Sequence, residues 1–135
     1  MANDGILGAL NEILKLEYTA VLQYTYEGFV VTGLDRPRFL AMFQGEAAES
    51  LAHAQMVGSK IVSLGGTPTS ETMAIATTRD LREMLENNLA MERKAVELYT
   101  AALVFAGDDV SLRTMLENQI SIEKGSVEEL EQILA

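Results

Sequence analysis

The chain has 135 residues, enough for one domain (residues 1–135) with a substantial core, and 48% of them are hydrophobic. Ten Lys and Arg stand against twenty Asp and Glu, a formal charge of −10, which argues against partners such as nucleic-acid backbone or an anionic membrane surface. Cysteine is absent, so disulfides and thiolate metal sites are excluded.

Glycines punctuate four helical segments, and neither β-branched runs nor alternating apolar and polar stretches compete with them. The first segment runs from about Asp4 to Thr32 and stops at Gly33. The second follows Asp35, an expected N-cap, carries Pro37 in its first turn and stops at Gly65-Gly66. The third spans about Thr78 to Ala106 and stops at Gly107. The fourth begins near Asp108-Asp109 and continues to Ala135. Apolar residues recur at helical spacing, as in Phe39, Phe43, Val57 and Ile61 of the second segment and Leu116, Ile120, Val127 and Leu130 of the fourth.

Short connections make segments one and two antiparallel neighbours, and likewise three and four. The middle connection, Gly65 to Ala76, is longer and polar. A helix of this length is about 40 Å long, and twelve extended residues reach up to about 40 Å, so this connection spans the height of a bundle. The expected fold is all-α: a four-helix bundle of two antiparallel hairpins joined by a long crossover. The N-terminal stretch Met1 to Leu10 has neither a basic region nor a long apolar run, and no stretch is long enough for a membrane span. The expectation is a cytoplasmic protein with no membrane partner.

The second hairpin repeats the first. Leu10, Leu14, Glu17, Ala20, Val21, Tyr24 and Thr25 recur 75 residues later as Leu85, Leu89, Glu92, Ala95, Val96, Tyr99 and Thr100. Steps of three and four place these residues on one helix face. That face should be apolar, yet a glutamate occupies its middle in both copies. A buried carboxylate is costly unless it is paired, protonated or bound to a metal. Counted from the two turns, Glu17 lies level with His53, the only histidine, and Glu92 lies level with Glu123. All four should converge at mid-height.

Carboxylates and one imidazole in an apolar interior suit iron, manganese or zinc. The recipe for a di-metal carboxylate bundle is one Glu from each of two helices and one Glu-x-x-His from each of the other two. Here the second helix reads Ser50-Leu51-Ala52-His53, keeping the His, and the fourth reads Glu123-Lys124-Gly125-Ser126, keeping the Glu. The expected site is therefore asymmetric, with one tighter metal position and one weak or vacant. Glu49 is a further candidate ligand, about 80° off the buried face. Glu46 points inward more directly but lies two turns from His53, too far to share its metal comfortably, and is expected to support the ligands from behind or to partner Tyr24 or Gln119.

These residues resemble the ferritin-like superfamily, in particular bacterioferritin and rubrerythrin. The likeness covers Leu10-Asn11-Glu12 to Gln23-Tyr24, then Ser50 to Gly66 with Leu64-Gly65-Gly66-Thr67-Pro68, Asn88-Leu89-Ala90-Met91-Glu92, and Ile122 to Leu130. The resemblance implies a ferritin-like bundle with two irons and oxidation of ferrous iron by oxygen or peroxide. Carried over by position, Glu17, His53, Glu92 and Glu123 fall on metal ligands, whereas Ser50 and Ser126 replace ligands. Bacterioferritin binds haem through a Met two residues before the second-helix His. Leu51 stands there, so no haem is expected. The chain ends with the fourth helix, where cage-forming relatives have a short extra one, so a homodimer is expected. Two functions remain in view: a ferritin-like metalloprotein with ferroxidase- or peroxidase-type chemistry, or a degenerate bundle serving as a structural or interaction subunit.

Overall fold

The computed structural model describes residues 3–135; Met1 and Ala2, which open the stretch read for a leader, lie outside them. The described residues form four helices: α1 (Asp4–Val30), α2 (Arg36–Ser63), α3 (Leu81–Leu103) and α4 (Val110–Leu134). The two hairpins are α1 with α2 and α3 with α4, and they meet chiefly through α1 and α3. No helix among the described residues is long and apolar enough to cross a membrane.

Glycine and capping chemistry set the helix ends. Gly33, Gly65 and Gly107 take φ of +100°, +88° and +59°, a region that costs a side chain but not glycine. Asp35 stands at the head of α2 without making a side-chain cap bond. Arg36 instead ties the turn together, its Nη1 donating to the carbonyls of Gly28 at 3.3 Å and Val31 at 2.5 Å. The third helix starts three residues later than its sequence suggests. The reason is the N-cap at Asp80: its Oδ2 accepts from the Glu83 amide at 3.0 Å, while Thr78 Oγ1 accepts from the Asp80 amide and donates to Glu83 Oε2. At the other end, Val104, Phe105 and Ala106 donate to carbonyls three residues back, so α3 closes at Leu103 in a tighter turn.

The crossover is hung on α1. Asn11 donates to the Thr67 carbonyl and accepts from the Thr69 amide, Thr19 Oγ1 accepts from Met73 N, and Gln23 Oε1 accepts from Ala76 N. Tyr26 completes the series by donating to the Thr77 carbonyl at 3.4 Å. Both strands of this ladder advance in the same direction. The crossover therefore travels the length of α1, and α3 starts where α1 stops. It follows that α1 and α3 are antiparallel, as are α2 and α4.

The apolar core falls into two parts. One holds Leu10, Leu14, Val57, Ile61 and Leu116 toward the start of α1; the other holds Tyr24, Phe39, Phe43, Met84 and Leu130 toward its end. Between them lies a polar layer: Glu17, Glu92 and Glu123 are each no more than 4% exposed, and Ser50 is buried beside them.

Candidate metal centre

Each helix brings one member of the polar layer to mid-height, because each presents its three-and-four-residue stripe to the bundle axis. His53 Nδ1 lies 3.3 Å from Glu17 Oε2 and 3.4 Å from Glu123 Oε1. One ligand atom from each of Glu17, His53 and Glu123 falls within 4.8 Å of the others. Glu92 adjoins this trio through Glu123 and accepts a hydrogen bond from Tyr24 Oη at 2.7 Å.

The electrostatics of this layer are strained. Burial pushes the Glu17 carboxyl upward against the opposing pull of His53. Burial also raises Glu92, and the neighbouring Glu123 adds to the rise. The carboxylates of Glu123 and Glu17 raise His53 to about 10, outweighing its own desolvation. In the metal-free bundle, protons thus occupy the place of a cation, and His53 is an imidazolium between two acids.

The donor atoms fit a metal better than they fit one another. Glu17 Oε2 and His53 Nδ1 face each other as a buried ion pair at 3.3 Å but without hydrogen-bond geometry. Two carboxylates and an imidazole converging from three helices offer the oxygen and nitrogen donors that Fe, Mn and Zn prefer. A divalent ion there would be ligated by both atoms and displace the protons.

The remaining candidates sit apart. Glu49 is exposed on the outer flank of α2, and Glu46 is half-buried. Glu46 was expected to partner Tyr24 or Gln119. Instead the Tyr24 hydroxyl is taken by Glu92, and Gln119 Nε2 turns to Met56 Sδ at 3.9 Å. Ser50 and Ser126, at the positions that lack ligands, are buried and half-buried. Tyr99, the repeat partner of Tyr24, is fully buried with its hydroxyl unpartnered.

A second buried polar group escaped the sequence. Glu27 is 1% exposed and accepts from Asn88 Nδ2 at 2.8 Å and Gln23 Nε2 at 3.3 Å. Burial raises it to about 8, although both amides favour its charged form. Its only sequence signal is the i, i+4 pair Gln23 and Glu27 flanking the apolar stripe.

A four-helix bundle with a long crossover and a carboxylate–histidine layer at mid-height defines the class of di-metal carboxylate bundles. The Ferritin-like domain model matches residues 7–135, and the chain belongs to that family. It is similar to a ferritin-like, diiron-carboxylate protein from Bacillus anthracis str. Ames, with 30% identity, a TM-score of 0.96, and coverage of 100% of this chain and 99% of that one. It is similar to Rhodobacter capsulatus bacterioferritin, solved with a metal-free dinuclear site and a haem iron, at 26% identity and TM-score 0.85, covering 96% and 82% of the two chains. The bacterioferritin-related dodecameric thioferritin of Bacteroides fragilis gives 25% identity and TM-score 0.87, with coverage of 96% and 83%. A comparison with curated proteins finds no match.

Proposed function

We propose that this bundle binds a divalent transition metal, iron foremost and manganese or zinc as alternatives, in its polar layer, and that the bound metal carries ferroxidase- or peroxidase-type chemistry. The observation that supports this most directly is the convergence of ligand atoms of Glu17, His53 and Glu123, from three helices, within 4.8 Å of one another. When bound, iron supplies the exchange of electrons with oxygen or peroxide. The protein's own residues do the rest. Glu17, His53 and Glu123 hold the ion, and Glu92 stands beside it, oriented by Tyr24. The small side chains of Ser50 and Ser126 leave coordination positions free of protein ligand, the condition for a reactant to approach a metal.

A haem-free homodimer in the cytoplasm belongs to the same reading. Leu51 offers no donor atom to a haem iron. Exposed Leu22 and Leu51 on the outer faces of α1 and α2 support association with a second copy.

The complementary losses at Ser50 and Ser126 favour a second reading, a bundle that keeps the fold for a structural role and leaves the acids protonated. Metal analysis of protein purified without chelator separates the two. The first reading expects about one tightly held ion per chain, lost in both Glu17→Gln and His53→Ala. Protein that carries no metal, and takes up none from ferrous iron under anaerobic conditions, leaves the second.

A further inference from the structure

We propose that the crossover is a proton-operated strap: the charge on Glu27 decides how firmly Gln23 holds the Ala76 amide, and so how firmly the crossover is clasped to α1. The strap works without a metal and apart from the polar layer. Glu27 lies ten residues beyond Glu17, about 15 Å further along α1. It forms a buried cluster with Gln23 and Asn88, the three being 1%, 4% and 0% exposed.

The bonding order in the cluster is set from its outer end. The Ala76 amide can only donate, and it donates to Gln23 Oε1 at 3.1 Å. The nitrogen of that side chain therefore faces inward, to Glu27 Oε2 at 3.3 Å and Asn88 Oδ1 at 3.5 Å. With its oxygen turned to Gln23, Asn88 points Nδ2 at Glu27 Oε1, at 2.8 Å. Both carboxylate oxygens thus face N–H groups, the arrangement that suits an anion. A proton on Glu27 needs an acceptor, and the acceptors of the cluster are the amide oxygens of Gln23 and Asn88. Turning Gln23 brings its Nε2 against the Ala76 N–H and breaks the clasp. Turning Asn88 sets its Nδ2 against Gln23 Nε2, donor against donor. Either way the proton is accommodated by disturbing Gln23.

Burial and these two amides set the protonation of Glu27, and burial lifts it to about 8; no charged group of α2, α3, α4 or the crossover takes part among the described residues. The buried faces in this part of the core are Phe39 and Phe43 on α2, Met84 and Leu85 on α3, and Leu130 on α4. Tyr24, on α1 itself, feels the Glu27 charge, and its own hydroxyl is pushed well above the ordinary range and stays protonated. The sign follows from the bonding. The clasp favours the ionised acid, so it tightens as pH rises through about 8 and loosens below. Burial acts on the whole fold in the opposite sense over the same range. Gln23, Met73 and Ala76 line a cavity of about 310 Å³ between α1, α3 and the crossover, together with Leu16 and Met91, the sequence neighbours of Glu17 and Glu92. Loosening the clasp opens that cavity at its Ala76 end.

The test is amide hydrogen exchange in the full-length, metal-free chain, followed by NMR and corrected for the intrinsic rate. Protection at the Ala76 amide should rise about fivefold or more between about pH 6.5 and 9. The Met73 amide is the internal control: it is held by Thr19 Oγ1 at 2.9 Å, with no acid in its hydrogen bonding, and should show no such rise. Glu27→Gln presents one donor and one acceptor, as a protonated carboxyl does, and should keep Ala76 at its weakly protected level at every pH. Gln23→Ala should abolish the response. Wild-type protection at Ala76 that is flat or falls with pH overturns the proposal. So does a parallel rise at Met73, or a Glu27→Gln variant that keeps the wild-type rise. The comparison of Ala76 with Met73 needs wild type alone, and it decides the matter even where a variant fails to fold.

Discussion

Tyr24 on α1 donates a 2.7 Å hydrogen bond to Glu92 on α3, whereas Tyr99 on α3, its repeat partner, makes no such bond to Glu17 on α1. The internal repeat is thus symmetric in sequence and asymmetric in its contacts. His53 sits 3.3 Å from Glu17 Oε2, whereas a serine stands at the equivalent position 126 on α4. Removing each hydroxyl should therefore have opposite results. Tyr24→Phe leaves a buried Glu92 oxygen without its donor and should lower the stability of the metal-free protein by about 1–2 kcal/mol. Tyr99→Phe removes a hydroxyl that is already unsatisfied, and should be neutral or slightly stabilising. Urea unfolding with chelator present measures both, and equal losses from the two variants would refute the asymmetry.

The acids of the bundle dictate how stability depends on pH. Glu17, Glu27 and Glu92 are raised above 4.5 chiefly by burial, Glu27 to about 8, and His53 is raised from 6.5 to about 10. A group raised in the fold binds its proton there more tightly than in the unfolded chain. Its contribution is complete below the unfolded value and disappears as pH climbs through the folded one. For Glu27 the window runs from 4.5 to about 8, and for His53 from 6.5 to about 10. The metal-free protein should accordingly lose stability steadily between pH 5.5 and 8.5, by several kcal/mol. Urea midpoints taken across that range check the sign, and a midpoint that rises with pH would contradict it.

The sequence revealed the bundle and the positions of Glu17 and Glu92 for one reason. A repeated apolar stripe interrupted at the same place twice is a strong periodic signal, and residue counts from two glycine turns fix relative height. Glu27 was not legible. It lies beside the stripe rather than on it, and only the tertiary packing of α1 against α3 turns an ordinary flanking acid into a buried one. The polar residues Asn11, Thr19 and Gln23 mislead in the same way. Nothing in their spacing marks them as buried, but the crossover covers them and takes their hydrogen bonds. The late start of α3 was hidden because Thr78 and Asp80 are both plausible caps. Only Asp80 places a glutamate, Glu83, three residues on.

Gln23 joins two structures at once, accepting from the crossover amide of Ala76 and donating toward Glu27. Gln23→Ala should loosen the crossover locally before it affects the bundle. We expect hydrogen exchange at the Ala76 amide to accelerate at least tenfold, a change of about 1.4 kcal/mol in local opening, with little change at amides in the middle of α2. The free energy of global unfolding should fall by about 1–2 kcal/mol, because Glu27 also loses one donor. Uniform acceleration throughout the bundle would mean that the crossover is not an independent unit.

Metal binding should expel protons. As a ligand, His53 must be neutral and the glutamates ionised, yet the metal-free layer holds His53 protonated until about pH 10 and raises Glu17 and Glu92. Each ion bound at pH 7 must therefore release about one to two protons. Isothermal calorimetry in two buffers of different ionisation enthalpy counts them directly. The same linkage predicts that affinity rises with pH between 6 and 8, opposite in direction to the stability of the metal-free fold. Ligand at a hundredfold its dissociation constant adds about 2.7 kcal/mol to folding stability, which offsets part of the loss expected on the alkaline side. The pH dependence of the urea midpoint should therefore flatten when metal is added, and should remain steep in His53→Ala with metal present if the imidazole is the ligand that the ion requires.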